Sequence, residues 1–570
     1  MSCVGTSATP SIVEGIPLSE EPGLGPLTLP GYLREVTTRF ADREALVMHT
    51  SEGVERWSYA ALWDRSADVA RALIACGAGR DTRVGILMTN RSEWLAGVFG
   101  TALAGGVAVT LSTFSTPPEL EYMLQASGVS ILLFEADVLK KSFAEMLGDL
   151  EPAIRTAGPG ELRSTRFPFL RHLAAVGTGV RDGAIETWSG FLARGAAIPR
   201  GLALARAAST QPSDTAVLFF SSGTTSKPKG ILSAHRGVAI QLWRAARIFG
   251  LKGDVRSWSA NGFFWSGNFC VAIGGTLTSG GAIVLQRTFH AAEALELMAA
   301  ERVNFPFAWP HQWPQLVEAP NWERVDLSSI RFVDREDPLA RHPTVKTDYR
   351  SPYWAYGGTE TFTLSTAYIA CTPEEVIGGS HGEVLPGNTI KIVDPMTGEV
   401  VPRGERGEIA VKGPTLMLSY IGIPIDETLD AQGFFHTGDG GYLDELGRLF
   451  WEGRLSDIIK TGGANVSPAE IDAVLATYPG VKVARTVGVP HETLGEMVVA
   501  CIVPSEGSVL DETSIRNYLK ERLASYKVPR RVLYLGDDEL SLTGSAKIKA
   551  GDLRQLASER LRAVEHGITG

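Results

Sequence analysis

The sequence predicts an α/β protein: a large N-terminal region of layered α/β subdomains with a β-rich lobe, followed by a small α+β C-terminal domain. Three observations carry that expectation. From about Leu27 to Phe134, helix-period segments alternate with short apolar runs; from Val384 to Tyr420, strand and turn signals dominate; after Gly453-Arg454, a short αβ alternation resumes.

The elements follow in order. "YAALWDRSADVARALIACG" is helical, and "RVGILM", "VAVTL" and "SILLF" have the length and apolarity of strands in a parallel sheet. Residues Leu147 to Ala207, rich in Gly, Ala and Arg, read as a looser insertion before "TAVLFF", a buried strand. "IKIVDPMTGEVVPRGERGEIAVKG" reads as β-hairpins turning at Asp394-Pro395 and Arg403-Gly404. "SPAEIDAVLATY" is helical with Ser467 as its N-cap, and "EMVVACIVP" is a strand. A boundary between Arg454 and Asp457 divides the chain into domains 1–454 and 455–570.

Composition bounds the function. With 570 residues, 44% hydrophobic and 21% charged, the chain is globular and large enough for several lobes. A net charge of -10 gives no general attraction to nucleic acid or an anionic membrane. The five cysteines, Cys3, Cys76, Cys270, Cys371 and Cys501, form no CxxC pair, so spacing suggests neither a zinc site nor a disulfide framework; a reducing cytoplasm is the expected setting. The N-terminus lacks the pattern of a signal peptide, and Trp94 to Leu111 is at the short limit and too glycine-rich to cross a bilayer well.

The chemistry concentrates in four stretches. "LFFSSGTTSKPKG" (218–230) joins a strand to hydroxyls, a glycine and two lysines, a cradle for phosphate in which lysine is notable because the chain's first is Lys140. The P-loop order GxxxxGK[ST] is absent. Tyr356-Gly357-Gly358-Thr359-Glu360 sets a flat ring, a turn, a hydroxyl and a carboxylate within five residues, able to stack a base, bind phosphate and hold Mg²⁺. Asp439 suits a ribose diol, Arg454 is a donor at the proposed boundary, and "LTGSAKIKAGDLR" places Lys547 and Lys549 on a small-residue loop. Each stretch alone is also compatible with an ordinary turn or a solvated surface.

Together, in this order and over nearly the whole length, these stretches resemble the adenylate-forming superfamily of acyl-CoA and aryl-CoA synthetases, peptide-synthetase adenylation domains and luciferases. The resemblance implies a small C-terminal domain swinging about a hinge at 454–457, which includes Ser456. ATP and a carboxylic acid first give acyl-adenylate and pyrophosphate; CoA then attacks, releasing AMP. It places Ser221, Ser222, Gly223, Thr224, Thr225 and Lys229 around the ATP phosphates, and Thr225 and Glu360 near Mg²⁺. Tyr356 lies against adenine beside Gly357 and Gly358, Thr359 near the α-phosphate, and Asp439 and Arg454 on the ribose. Lys547 matches the catalytic lysine of adenylation, and Lys460, Gly462 and Gly463 line the CoA tunnel. A cation delivered in only one domain orientation stabilises the adenylation transition state selectively.

Three departures accompany the likeness. Arg335 and Glu336 occupy the glycine positions of the adenine-binding segment, where bulky residues take φ > 0 poorly and would crowd a base; Ala546 precedes Lys547 in place of glycine; and Ser456 replaces the usual Asp or Lys. They suggest a specialised, secondary-metabolism member. An alternative function follows: thioester formation only, from an adenylate supplied by a partner adenylating enzyme. The resemblance puts the acyl pocket between the phosphate loop and the tyrosine turn, a stretch rich in aromatics. Phe264, Trp265, Asn268, Phe307, Trp309 and Trp354 line it, favouring a bulky, mostly apolar acid. A freestanding carrier-protein ligase, a luciferase-like oxygenase and a non-catalytic adenylate binder remain open.

Overall fold

A computed structural model describes residues 9–177, 183–221, 228–309, 312–352, 354–461, 464–523, 525–536, 539 and 550–565. The chain divides into two compact units: one comprises Glu14–Thr389 and Lys412–Phe435, the other Met1–Val13, Ile390–Val411 and His436–Gly570.

The larger unit is built on two sheets. Strands β1 (Glu44–Thr50) and β2 (Gly53–Ser58) lead into helix α1 (Tyr59–Ala75), whose N-cap Ser58 accepts from Ala61 N–H. Then follow β3 (Arg83–Leu87), α2 (Ser92–Leu103), β4 (Val107–Thr110), α3 (Pro117–Ser127) and β5 (Ile131–Glu135). Next come β6 (His172–Val176), β7 (Ile185–Thr187), α4 (Trp188–Arg194), β8 (Thr215–Ser221), β9 (Lys229–Ala234) and α5 (His235–Ile248). After α5 lie β10 (Arg256–Ser259), β11 (Ala282–Leu285) and β12 (Phe305–Phe307).

The first sheet has the order β7-β6-β5-β3-β4-β8-β9 and ends in the two-residue strand Ser419–Tyr420; the second is β12-β10-β11-β1-β2. The expected strands 83–88, 107–111 and 130–134 all pair in parallel in the first sheet. Side chains such as Val84, Ile86, Leu132 and Leu133 are buried, which explains runs of apolar residues without alternation.

Residues 147–207 are not the loose insertion their composition suggests. They supply β6 and β7, which add to the first sheet in parallel with β5, and helix α4. The strands are so short that glycine- and arginine-rich flanks mask them.

In the smaller unit, β13 (Thr389–Val393), β14 (Gly407–Lys412), β15 (Phe435–Leu443) and β16 (Leu449–Arg454) form a sheet with Ile12–Glu14 at its edge. Between β13 and β14 the two expected hairpins reduce to turns: Asp394 caps one by accepting from Met396 and Thr397 N–H, and a single bridge joins Val393 to Val400. A second sheet has the order β18 (Ala464–Val466), β17 (Ile459–Thr461), β20 (Gly495–Pro504), β19 (Val481–His491), with β21 (Arg531–Tyr534) parallel to β20. Helix α6 (Pro468–Leu475) starts at Ser467, the expected N-cap position, but that hydroxyl donates to the Glu452 carbonyl instead of capping. Ile459, Ile471, Leu475, Val498, Ala500 and Ile515 form the core here.

Candidate active site

Strand pairing fixes the residues on either side of the proposed phosphate loop. Strands β8 and β9 run antiparallel with Ser221 opposite Lys229. Ser222, Gly223, Thr224 and Thr225 themselves lie outside the described residues.

Beside Lys229, β9 pairs with the edge strand that carries Tyr420, Ile231 lying opposite it. The Lys229 ammonium sits 5.0 Å from the Tyr420 ring centroid, and the Tyr420 hydroxyl donates to Glu360 Oε1 at 2.9 Å. Backbone fixes the same pair from below, Met417 N–H donating to the Glu360 carbonyl. One phenol thus links a cation and a carboxylate that lie 131 positions apart in the chain.

The tyrosine turn is held by packing and by backbone bonds. Tyr356 is buried and exchanges bonds with Ser365 and Thr366. A Cβ on Gly357 would lie 2.0 Å from the Thr363 carbonyl oxygen, so glycine is required there. Thr363 N–H returns to the Gly358 carbonyl, and Thr359 and Glu360 lie in the single turn between. Phe362 (φ 47°) and Thr363 (φ 93°) both take the left-handed region, which is unfavourable for residues with a Cβ. What offsets this is burial: the Phe362 ring is fully enclosed, 5.7 Å from Phe219 of β8 and 6.0 Å from Phe269. The buried Gln241 of α5 adds its amide, donating to the Thr361 and Leu364 carbonyls.

Arg335 and Glu336 do not take positive φ. Asp334 organises their turn by accepting from Glu336 N–H at 3.0 Å and Ser351 N–H at 2.7 Å. The two side chains are 45% and 81% exposed, so the strain expected of residues replacing glycine is absent.

The aromatic stretch leaves adjacent strand ends, Ser259 of β10 pairing with Phe307 of β12. Phe264 is buried, 5.2 Å from Trp265 and 5.9 Å from Phe114. Asn268 is also buried, and its amide is used internally: Ser259 Oγ donates to Oδ1, and Nδ2 donates to the Asn261 carbonyl. A cavity of about 60 Å³ is lined by Phe249, Phe305, Phe307, Trp313, Phe332 and Asp334, among others. Trp309 is half-buried, and Trp354 is exposed with its ring edge-on to His381.

In the smaller unit, Asp439 of β15 lies opposite Arg454 of β16, and Arg454 Nε is 3.1 Å from Asp439 Oδ1. Arg454 Nη1 also donates to the Thr437 carbonyl, and Thr437 Oγ1 accepts from Asp439 N–H. The arrangement is a buried carboxylate with a half-exposed guanidinium beside it. Ser456 lies in the short turn that follows, its hydroxyl on Asp457. Lys460 is exposed on β17, its N–H donating to Glu496; Gly462, Gly463 and Lys547 lie outside the described residues.

A family profile described as AMP-binding enzyme matches residues 33–421, and one described as AMP-binding enzyme C-terminal domain matches residues 470–547. The chain belongs to the AMP-binding enzyme family. Its relatives include 3-[(3aS,4S,7aS)-7a-methyl-1,5-dioxo-octahydro-1H-inden-4-yl]propanoyl:CoA ligase of Mycobacterium tuberculosis. The two are 31% identical over 545 residues, 93% of this chain and 99% of that protein. A feruloyl-CoA synthase of an Amycolatopsis species is 31% identical over 87% of this chain and 93% of its own. Among solved structures, the anthranilate CoA ligase AuaEII in complex with anthranoyl-AMP superposes with a TM-score of 0.76 at 23% identity, covering 95% of this chain and 99% of that one; this likeness speaks for the fold.

Within this AMP-binding family member, sequence reasoning passed over Tyr420, Phe362 and Gln241. Tyr420 ends the plain stretch "TLMLSY" and becomes a site residue only through its pairing with β9. Phe362 and Gln241 carry no local sequence signal of a part in the turn. No helix among the described residues is long and apolar enough to cross a membrane.

Proposed function

We propose that this protein is an acyl-CoA ligase that converts a bulky, mostly apolar carboxylic acid to its CoA thioester through an acyl-adenylate, releasing AMP. The observation that carries the reading is the Lys229–Tyr420–Glu360 set at the base of the phosphate loop. Lys229 offers a mobile positive charge to phosphate oxygens, and Glu360 is a half-buried carboxylate oriented by a phenol, a donor suited to a hard cation. Bound there, Mg²⁺ would neutralise phosphate charge, with Thr225 as a further oxygen donor.

Tyr356 supplies a ring face for adenine, with Ser221 to Thr224 and Thr359 at the phosphates. Asp439 accepts from the ribose hydroxyls while Arg454 holds its carboxylate. Lys547 would bring positive charge to the α-phosphate oxygens as the acid attacks. Ser456 lies at the proposed hinge between 1–454 and 455–570. Reorientation there would replace Lys547 by the segment Lys460, Gly462 and Gly463, which admits the CoA thiol. Support for a bulky acid comes from the aromatic side chains Phe264, Trp265 and Phe307 in the stretch that the family likeness assigns to the acyl pocket, and from relatives named for a fused-ring propanoate and for ferulate.

Exposure of Arg335 and Glu336 supports ordinary ATP entry over thioester formation alone. The test is to incubate the protein with MgATP and panels of hydroxycinnamic, fused-ring and short-chain acids, with and without CoA, and to follow acyl-AMP, acyl-CoA and AMP by mass spectrometry. Adenylate without CoA and thioester with it are expected from the bulky acids. A preference for acetate would overturn the pocket reading, and thioester formed only from added acyl-AMP would replace this proposal with the narrower reaction.

A further inference from the structure

Three side chains converge at the edge of the first sheet opposite β9. Cys76 ends α1, His172 opens β6 and Glu186 lies in β7; one ligand atom from each comes within 4.8 Å of the others. The register explains the meeting of the last two. With Leu173 opposite Ile185 and Ala174 opposite Glu186, His172 and Glu186 project from the same face of the sheet.

Two features of the cluster fit a metal ion. The His172 Nδ1 is buried with no hydrogen-bond partner among the described residues, an unusual state for a polar atom. Glu186 has a side chain only 10% exposed, oriented by Arg194 Nε at 2.8 and 3.0 Å from its two oxygens. Each carboxylate oxygen has two lone pairs, so this contact leaves coordinating capacity and acts as an outer-shell bond that aims the ligand.

We propose that Cys76, His172 and Glu186 bind one zinc-class divalent cation. A thiolate, an imidazole and a carboxylate form a mixed sulfur, nitrogen and oxygen set that suits a borderline-soft ion and not Mg²⁺ or Ca²⁺, which take oxygen. On binding, the Cys76 sulfur forms the metal bond and its proton leaves to solvent, while His172 coordinates as the neutral ring. At zinc bond lengths of about 2.0–2.3 Å, tetrahedral ligand atoms lie roughly 3.3–3.7 Å apart, so side-chain rotation closes the present spacing. The site lies four strand spacings from β8, roughly 19 Å, so its role is to clamp α1, β6 and β7 together and not to serve the proposed ligase chemistry, on which the inference does not rest.

The experiment is titration of tag-free, chelator-treated protein with Co²⁺ and then Zn²⁺, followed by absorption and by thermal unfolding. A thiolate-to-cobalt charge-transfer band saturating at about one ion per chain is expected, displaced by Zn²⁺, with a rise in the unfolding midpoint. The band should vanish in Cys76→Ser and in His172→Gln and persist in Cys371→Ser, which alters an exposed cysteine outside the cluster. Absence of a saturating band in the wild-type protein overturns the site. So does a band that survives either cluster variant, so one of the two folding is sufficient.

Discussion

Tyr420 controls the charge pairing of the candidate nucleotide site, because its hydroxyl holds Glu360 and its ring faces Lys229. A hydrogen bond to a charged group contributes about 1.5–3 kcal/mol. Tyr420→Phe keeps the ring and loses that bond, so kcat/KM is expected to fall roughly 10- to 100-fold, with a higher Mg²⁺ requirement, in steady-state assays across Mg²⁺ concentrations. Kinetics unchanged at every Mg²⁺ level would remove Tyr420 from the site. Arg335 and Glu336 lead to the opposite expectation. Their side chains point to water and their backbone is unstrained, so the double change Arg335→Gly and Glu336→Gly should leave KM for ATP within about 3-fold, a difference worth less than 1 kcal/mol. A much larger fall in KM would mean that these residues do obstruct the base.

At the scale of elements, the tyrosine turn depends on a ring two residues beyond Glu360. Phe362 holds a left-handed conformation only because Phe219 and Phe269 enclose it. Phe362→Ala deletes that anchor and should destabilise the larger unit by about 3–5 kcal/mol in denaturant titrations, with activity falling further than the folded fraction. A loss below about 1 kcal/mol would show that backbone bonds alone fix the turn. These relations also mark what the sequence could reveal. Strands 83–88 and 130–134 and helix 59–75 were legible because burial on a regular element leaves a local period. The turn at 356–360 was legible because a tight turn needs glycine within a few residues. Tyr420, Phe362 and Gln241 were not, since their roles come from strand pairing and packing with residues far along the chain. Strands β6 and β7 were missed for a different reason: each is too short to establish a period against its flanks.

Over the whole molecule, two buried titratable groups give the units opposite responses to pH. In the larger unit, burial holds His235 neutral and lowers its pKa to about 4, and its Nδ1 accepts from Leu29 N–H, a bond that protonation of that atom would break. The unfolded chain binds this proton near 6.5, so between pH 6.5 and 4 it carries a proton that the folded chain lacks. Stability therefore falls as the pH drops through that window, by roughly 3 kcal/mol in total. In the smaller unit, burial raises the Asp472 pKa to about 6 despite Arg485 at 3.5 Å, and its Oδ1 has no partner among the described residues. Here the folded state holds the extra proton, so the stability present below about 3.8 is lost as the pH rises through 6, again by roughly 3 kcal/mol. Asp472→Asn, which stays neutral at any pH, should therefore be more stable than the wild type at pH 7.5 and indistinguishable from it near pH 4. His235→Gln should flatten the acid limb between pH 6.5 and 4. Urea unfolding of the three proteins at pH 4, 5.5 and 7.5 measures both effects, and parallel stability profiles would show that neither group titrates where its burial demands.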